Sequence, residues 1–236
     1  METKEILSAL KGGLIVSCQS EGDDPFNSPE GVTLFAKAAV MGGAVGIRSR
    51  DIDKTEMIVK SVSVPVIGLT KSKFEDGYVR ITGSFREFEE IMKTGIHMAA
   101  VDGTFRQREG LTGPEFIHEL KKRYPLPVMA DIATIEEGIA CADAGADCIS
   151  TTLSGYTPET SGKKLSGPDF DLLEELVRKV AIPVIAEGRI NTPSDAGRMI
   201  ALGAFAVVAG TAITRPRMVT SWYAESIKKE YDKRSS

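Results

Sequence analysis

Eight short apolar runs recur along this 236-residue chain, and each begins at or just after a glycine or a proline. A glycine just past a helix can take the left-handed backbone that ends the helix before the next strand. A proline cannot continue a helix, so it also marks a place where a strand can begin. The runs predict strands over Gly13–Gln19, Ala44–Ser49, Pro65–Lys71, His97–Asp102, Pro127–Asp131, Asp147–Thr152, Pro183–Glu187 and Phe205–Gly210.

Amphipathic segments lie between the runs and predict helices. In Phe170–Val180, apolar residues recur on one side and cationic residues fall at the end, as in a helix that packs on a sheet. The predicted helices are Gly31–Met41, Phe85–Lys93, Gly113–Arg123, Ile135–Asp143, Phe170–Val180 and Ser194–Leu202. The predicted capping glycines are Gly43, Gly95, Gly145 and Gly203.

A strand–helix unit that repeats eight times without a linker predicts one α/β domain over residues 1–236. The expected architecture is a single (β/α)8 TIM barrel, and the alternative is a doubly wound open sheet. The segment Tyr78–Thr82 is an additional strand-like piece, which we expect to extend the loop after the third strand.

Three of the predicted strands start with proline and end with an ionisable residue. Aligned on their prolines, Asp131 and Glu187 share one register, and Lys71 lies two residues further along. Because side chains alternate between the two faces of a strand, all three should point to one side, with Lys71 about one layer nearer the barrel mouth. Barrel active sites lie at this end, so the three residues predict one.

Lys71 beside an apolar barrel interior would have a lowered pKa and could act as a base. The alternative is an ordinary solvated lysine at a strand end. Glu187 and Asp131 could instead be structural ion-pair partners, an interpretation that suits Asp131 best.

Other polar residues end neighbouring strands. Gln19 and Arg48 fall at the same rim, as does Asp102, for which a capping role is as reasonable as a catalytic one. Cys18 is interpreted as a small core residue, because no histidine lies at an adjacent strand end to activate it.

The turns after the seventh and eighth strands are built from small residues. TIM barrels commonly bind phosphate between these two loops, where glycine allows the backbone to approach closely. Arg189 and Arg215 could add charge-assisted hydrogen bonds. The sequence therefore predicts a phosphate site and a phosphorylated small molecule as substrate. Its candidate residues are Gly188, Arg189, Gly210, Thr211 and Arg215.

The composition excludes several classes of protein. With a net charge of -4 and no basic patch, nucleic-acid binding is not expected. No apolar run has the length of a membrane span, and the first residues do not have a signal-peptide pattern. Three cysteines without metal-ligand spacing and only two histidines fit a cytoplasmic enzyme without a metal centre. A homodimer is the default expectation.

Taken together, the motifs resemble the N-acetylmannosamine-6-phosphate 2-epimerase family. The matching segments are Gly13–Gln19, Gly42–Arg48, Val66–Lys71, Met129–Thr134, Ser150–Thr157, Pro183–Arg189 and Ala209–Thr214. The resemblance implies a barrel enzyme of sialic acid breakdown that interconverts N-acetylmannosamine 6-phosphate and N-acetylglucosamine 6-phosphate. It also implies that no organic cofactor is needed.

The resemblance assigns roles to individual residues. It implies that Lys71 moves the proton on C2 of the ring-opened sugar and that Glu187 assists ring opening and orients the lysine. It places sugar binding on Gln19, Arg48, Asp131 and Tyr156, and phosphate binding on the five residues predicted above. Arg48 is the cation expected to stabilise the enolate oxygen. Since no second lysine ends an equivalent strand, one lysine is expected to serve both faces of C2.

Other functions remain open from the sequence. A metal-dependent pentose-phosphate epimerase would need histidines at strand ends, whereas His97 begins its strand. A Schiff-base enzyme could use Lys71 alone. A barrel that has lost catalysis and acts as a regulator or scaffold is disfavoured by the presence of Lys71, Glu187 and both small-residue turns.

Overall fold

A computed structural model describes residues 1–234, and its eight predicted strands form a closed parallel barrel. The first strand pairs with both the second and the last, which closes the sheet and excludes the doubly wound alternative. In chain order the strands are β1 (Leu14–Cys18), β2 (Gly46–Arg50), β3 (Val66–Leu69), β4 (Lys71–Lys73), β5 (Val79–Ile81), β6 (Met98–Asp102), β7 (Val128–Asp131), β8 (Cys148–Ser150), β9 (Val184–Glu187) and β10 (Ala206–Ala209).

The helices surround the barrel, and the six predicted ones begin and end within two residues of their predicted bounds. Four of them start where a serine or threonine side chain accepts a hydrogen bond from the first turn, as at Ser28 and Thr134. The helices are α1 (Thr3–Leu10), α2 (Pro29–Met41), α3 (Ile52–Val59), α4 (Phe85–Met92), α5 (Gly113–Arg123), α6 (Ile135–Asp143), α7 (Phe170–Lys179), α8 (Pro193–Ala201), α9 (Thr211–Thr214) and α10 (Pro216–Arg234).

The predicted helix-ending glycines have the left-handed backbone that their position requires. Gly43, Gly95, Gly145 and Gly203 all have positive φ, between 82° and 99°. A side chain on Gly203 would also meet Val177, so this turn excludes larger residues for a second reason. The repeated glycine signal therefore identified real helix-to-strand turns.

The third strand was predicted to run through Lys71, and this was wrong. The barrel strand β3 ends at Leu69, and Lys71 begins a separate antiparallel hairpin in which it pairs with Ile81. The surplus segment at Tyr78–Thr82 forms the second arm of this hairpin, β5, within the loop after the third strand as predicted. The hairpin, defined here as residues 71–81, places Lys71 above the barrel mouth.

The barrel interior is filled by apolar side chains and is closed at its lower end by α1, a helix that the sequence did not predict. Ile6 and Leu10 of α1 are buried in the same cluster as Ile15, Ile67 and Met129 from the strands. With the lower end packed in this way, the open end at the carboxyl termini of the strands is the accessible one.

The C-terminal helix α10 differs from the others because it has no buried residue. Trp222 is 38% exposed, Tyr223 70% and Ile227 69%. Among residues 1–234, no helix is both long enough and apolar enough to cross a membrane.

Candidate active site

Arg48 lies at the centre of the polar cluster in the barrel mouth and is only 1% exposed. Its Nη2 donates to Asp131 Oδ2 at 2.5 Å and its Nη1 to Asp131 Oδ1 at 3.0 Å. The same Nη1 donates to Glu187 Oε2 at 2.6 Å. One guanidinium therefore joins two carboxyl groups from β7 and β9, which places both predicted acids on the interior side of the barrel.

Burying a charged group is costly unless its hydrogen bonds are satisfied by a partner of opposite charge. Burial alone would lower the pKa of Arg48, but the carboxylates of Asp131 and Glu187 outweigh it and raise that pKa. Arg48 therefore stays charged, and its two partners cannot both be removed without leaving a buried cation.

Thr152 also belongs to this cluster, although the sequence did not single it out as a site residue. Its Oγ1 lies 2.8 Å from Asp131 Oδ1 and 3.1 Å from Glu187 Oε2. Ser150 lies 2.8 Å from the same Oγ1. The signal was present, because Thr152 was the last residue of the sixth predicted strand and so shares the rim with the other strand ends.

Lys71 reaches the same cavity from the hairpin and is half-buried. Burial lowers the pKa of Lys71, and the positive charges of Arg50 and Arg48 lower it further. Glu21 and Glu187 act in the opposite direction without reversing the shift. The expected lowering of this pKa is therefore present, even though the lysine does not lie on a barrel strand.

Glu187 has a raised pKa. The main cause is burial, and the neighbouring charge of Asp131 adds to it. Arg48, a hydrogen bond from Thr152 and Lys71 favour the ionised form but do not offset the burial. A lowered pKa on Lys71 and a raised pKa on Glu187 both favour a neutral amine beside a neutral acid.

Two adjoining cavities meet at this cluster. The first, of about 730 Å³, extends from the barrel mouth to the hairpin, and the second, of about 440 Å³, lies over the turns after β9 and β10. Five residues line both cavities: Gln19, Lys71, Thr152, Tyr156 and Glu187. Arg48 lines only the first cavity. Asp131 lines neither of them and is fully buried behind Arg48.

All five predicted phosphate residues line the second cavity: Gly188, Arg189, Gly210, Thr211 and Arg215. Arg189 donates to the Ser154 carbonyl at 2.8 Å and stacks 4.0 Å from the centre of the Tyr156 ring. Arg215 Nη2 lies 3.0 Å from Glu21 Oε1. Both arginines are thus held in place by contacts with the protein.

Four further charged residues of the first cavity were not identified from the sequence: Glu21, Arg50, Lys73 and Arg106. Glu21 bridges Arg215 to Arg50, whose Nη1 lies 2.7 Å from Glu21 Oε2. Arg50 lies two residues after Arg48 on β2, so the period of the strand could have indicated it. Glu21 follows β1 in an irregular loop, where no such pattern applies.

Two residues that the sequence considered are structural. Asp102 is fully buried and bonds Arg106 at 2.8 Å and Arg108 at 2.9 Å, in addition to the backbone and side chain of Thr104. Cys18 is fully buried in the hydrophobic core, as predicted, and this burial raises the pKa of its thiol to about 12. Within residues 1–234, no cluster of His, Cys, Asp and Glu side chains has a metal-binding arrangement.

Known proteins resemble this chain along most of its length. A family model described as "Putative N-acetylmannosamine-6-phosphate epimerase" matches residues 32–229. A relative from Caldanaerobacter subterraneus subsp. tengcongensis is 46% identical over 95% of this chain and 94% of its own length. A relative from Clostridioides difficile is 44% identical over 94% of this chain and 99% of its own length. Both are named "Putative N-acetylmannosamine-6-phosphate 2-epimerase".

Solved structures agree with the barrel. The N-acetylmannosamine-6-phosphate 2-epimerase from Clostridium perfringens superposes with a TM-score of 0.87 at 41% identity, covering 93% of this chain and 95% of that one. A thiamine phosphate pyrophosphorylase from Pyrococcus furiosus superposes with a TM-score of 0.60 at 16% identity, which reflects the fold alone.

Asp131→Asn tests the buried ion pair. This substitution keeps the size of the side chain but leaves the Arg48 charge with Glu187 alone. We expect it to lower the free energy of unfolding by about 3 kcal/mol, the lower end for breaking a buried ion pair, measured by urea denaturation at pH 7. Glu90→Gln, which breaks the exposed pair with Arg86, should leave the urea midpoint unchanged. A loss below about 1 kcal/mol in Asp131→Asn would contradict this role.

Proposed function

The chain belongs to the N-acetylmannosamine-6-phosphate epimerase family of isomerases, and we propose that it interconverts N-acetylmannosamine 6-phosphate and N-acetylglucosamine 6-phosphate. The observation that carries this proposal is the position of Lys71. Its amine, with a lowered pKa, lies where a charged cluster and two cavities meet. The reaction inverts a carbon next to a carbonyl group, and a neutral amine is a suitable base for it.

The phosphate of the substrate is assigned to the second cavity. Its wall contains two glycines and two arginines from the turns after β9 and β10. Arg215 is held by the carboxylate of Glu21. A phosphate group is also an anion and has more acceptor oxygens, so it can bind the same guanidinium. With the phosphate in this cavity, the other end of the open-chain sugar reaches the residues that line both cavities.

The hydrogen bonds of Thr152 indicate that one of the two acids carries a proton. A hydroxyl has one hydrogen, so Thr152 can donate to only one of the two carboxyl groups that it contacts. If both acids were ionised, Thr152 Oγ1 would donate to one carboxylate and would turn a lone pair toward a lone pair of the other carboxylate. A proton on either acid removes this conflict. Asp131 accepts from both Nη atoms of Arg48, which favours its ionised form, so we place the proton on Glu187, which then donates to Thr152 while Thr152 donates to Asp131. The raised pKa of Glu187 agrees with this arrangement.

Glu187 is therefore the acid that opens the sugar ring. It protonates the ring oxygen as the bond from that oxygen to C1 breaks, and the C1 hydroxyl returns a proton to Glu187 as the aldehyde forms. Lys71 then removes the hydrogen from C2, and the electrons move to the carbonyl oxygen to form an enolate. Arg48 stabilises that oxygen by its charge, and the Glu187 hydroxyl can donate a hydrogen bond to it.

The ammonium of Lys71 returns the proton to the opposite face of C2 after the intermediate rotates. A single base is favoured because Lys71 lines both cavities. Lys73 also lines the first cavity and is more exposed, which makes it the competing candidate for a second acid. Gln19 and Tyr156 line the sugar path, whereas Asp131 acts through Arg48. The reaction needs no organic cofactor or metal, and we place it in the cytoplasmic breakdown of amino sugars and sialic acid.

The two lysines give a matched test of this mechanism. Proton NMR in deuterium oxide with N-acetylmannosamine 6-phosphate follows both epimerisation and exchange at C2. We expect Lys71→Ala to lower both rates by at least about a hundredfold, because general acid–base catalysis contributes 10²–10⁴-fold. Lys73→Ala should retain both. Exchange that persists in Lys71→Ala would exclude it as the base, and loss of epimerisation with retained exchange in Lys73→Ala would show a second acid.

We also propose that the enzyme is a homodimer in which α10 contacts a second copy. Trp222, Tyr223 and Ile227 are exposed on this helix. An apolar groove of about 440 Å³ beside β10 is available to receive it, and Ile190, Ile200 and Ile213 are among its lining residues. A large exposed apolar surface of this kind marks interaction sites.

Light scattering after size exclusion tests this assembly. We expect the wild type to have twice the mass of the chain, and Ile227→Glu, which places a charge on the apolar surface of α10, to have the mass of one chain. Lys228→Glu changes the adjacent exposed position and should remain a dimer. A monomeric wild type, or a dimeric Ile227→Glu, would contradict the proposal.

A further inference from the structure

The loop after β1 places a carboxylate on one of the two arginines that line the second cavity. Arg215 Nη2 donates to Glu21 Oε1 at 3.0 Å. Arg189, the other arginine, is held by neutral groups, the Ser154 carbonyl and the Tyr156 ring. Within residues 1–234 no carboxylate pairs with Arg189. The charge of Arg215 is therefore compensated by the protein itself, whereas that of Arg189 is left for a ligand.

Glu21 is charged and has a second cation to bind. Burial acts to raise the pKa of Glu21, but the neighbouring cations, Arg215 foremost, outweigh it and lower that pKa. The carboxylate is thus ionised at neutral pH. Its Oε2 accepts from Arg50 Nη1 at 2.7 Å, and Arg50 Nε donates to Asp51 at 3.1 Å. An anion that takes Arg215 would leave Glu21 paired with Arg50 rather than alone.

The structure allows this exchange of partners. The side chain of Glu21 is 50% exposed and that of Arg215 is 26% exposed, so an anion from solvent can reach the pair. The loop itself is fastened elsewhere, because Lys54 Nζ donates to the Ser20 carbonyl at 3.2 Å and to Asn27 Oδ1 at 2.6 Å. The loop can therefore keep its position when the contact between Glu21 and Arg215 is broken.

We propose that Glu21 is a built-in counter-anion of the phosphate site, which competes with phosphate for Arg215 and so limits the affinity for phosphate-bearing ligands. This inference rests on the proposed function, since it concerns the phosphate site assigned there to the second cavity. A phosphate group takes Arg215, and Glu21 stays with Arg50. The sugar of the substrate adds contacts in the first cavity that offset the lost ion pair. Inorganic phosphate has no such contacts, so Glu21 limits its occupation of the site.

Titration calorimetry of the full chain with inorganic phosphate, in a phosphate-free buffer without substrate, tests the competition. We expect Glu21→Gln to bind phosphate about fivefold more tightly, because an exposed ion pair is worth up to about that factor. Asp23→Asn is the matched control, since it removes a charge from the same loop. Asp23 pairs with Arg217 outside both cavities, and its loss should change the affinity by less than about twofold.

Kinetics with N-acetylmannosamine 6-phosphate separate competition from a merely structural role. Removing a competitor strengthens the binding of substrate and product alike, so Glu21→Gln should lower KM by a similar factor without raising kcat. If Glu21 only held Arg215 in place, the same substitution would misplace the arginine and raise KM. The direction of the change in KM therefore distinguishes the two roles.

The outcomes also separate this inference from the proposed function. A phosphate affinity that increases by less than about twofold in Glu21→Gln, or a raised KM, would overturn the role of Glu21. An equal increase in Asp23→Asn would overturn it as well, because the effect would then come from the charge of the loop as a whole. If the wild type does not turn over the sugar phosphate, the proposed function fails, whereas the titration still decides the role of Glu21.

Discussion

The buried guanidinium of Arg48 is the interaction on which the rest of this site depends. It crosses the barrel mouth from β2 and holds acids from β7 and β9 within 3.0 Å. One positive charge faces two carboxyl groups in a place where water cannot compensate for an excess of either sign. The cluster is neutral when one of the two acids keeps its proton. We propose that Glu187 keeps that proton, because Asp131 accepts from both Nη atoms of Arg48 and burial raises the pKa of Glu187. On this proposal Asp131 has a structural role and Glu187 a chemical one.

The proposed base comes from a different element than the proposed acid. Lys71 is delivered by a hairpin inserted after β3, whereas Arg48, Asp131 and Glu187 lie on barrel strands. This division gives the hairpin two tasks at once. Its first residue, Lys71, supplies the amine, and its second arm lines the first cavity with Val79 and Ile81. A change in the hairpin would therefore alter both the position of Lys71 and the shape of the first cavity, while leaving the charged cluster below intact.

The barrel could be predicted from the sequence because the same local signals, a glycine or proline before each strand, repeat eight times. The period of two placed Asp131 and Glu187 on one side correctly, since both lie within regular strands. The same period wrongly placed Lys71 on the third barrel strand. That strand ends at Leu69 because Lys71 pairs with Ile81 in the hairpin of β4 and β5, and the residues of β3 alone do not indicate this pairing. Glu21 and Thr152 lie beyond strand ends, where position depends on tertiary contacts. The composition of α10 likewise did not reveal that none of its residues is buried.

The infrared spectrum of the enzyme at neutral pH, without substrate, tests the protonation of Glu187 most directly. The account predicts a carbonyl stretch from a protonated carboxyl group that disappears in Glu187→Gln. The same band should shift in Thr152→Val, which removes the hydrogen-bond acceptor, and should stay in place in Thr152→Ser, which retains the hydroxyl. A wild-type spectrum without such a band, or with one that survives in Glu187→Gln, would contradict the account.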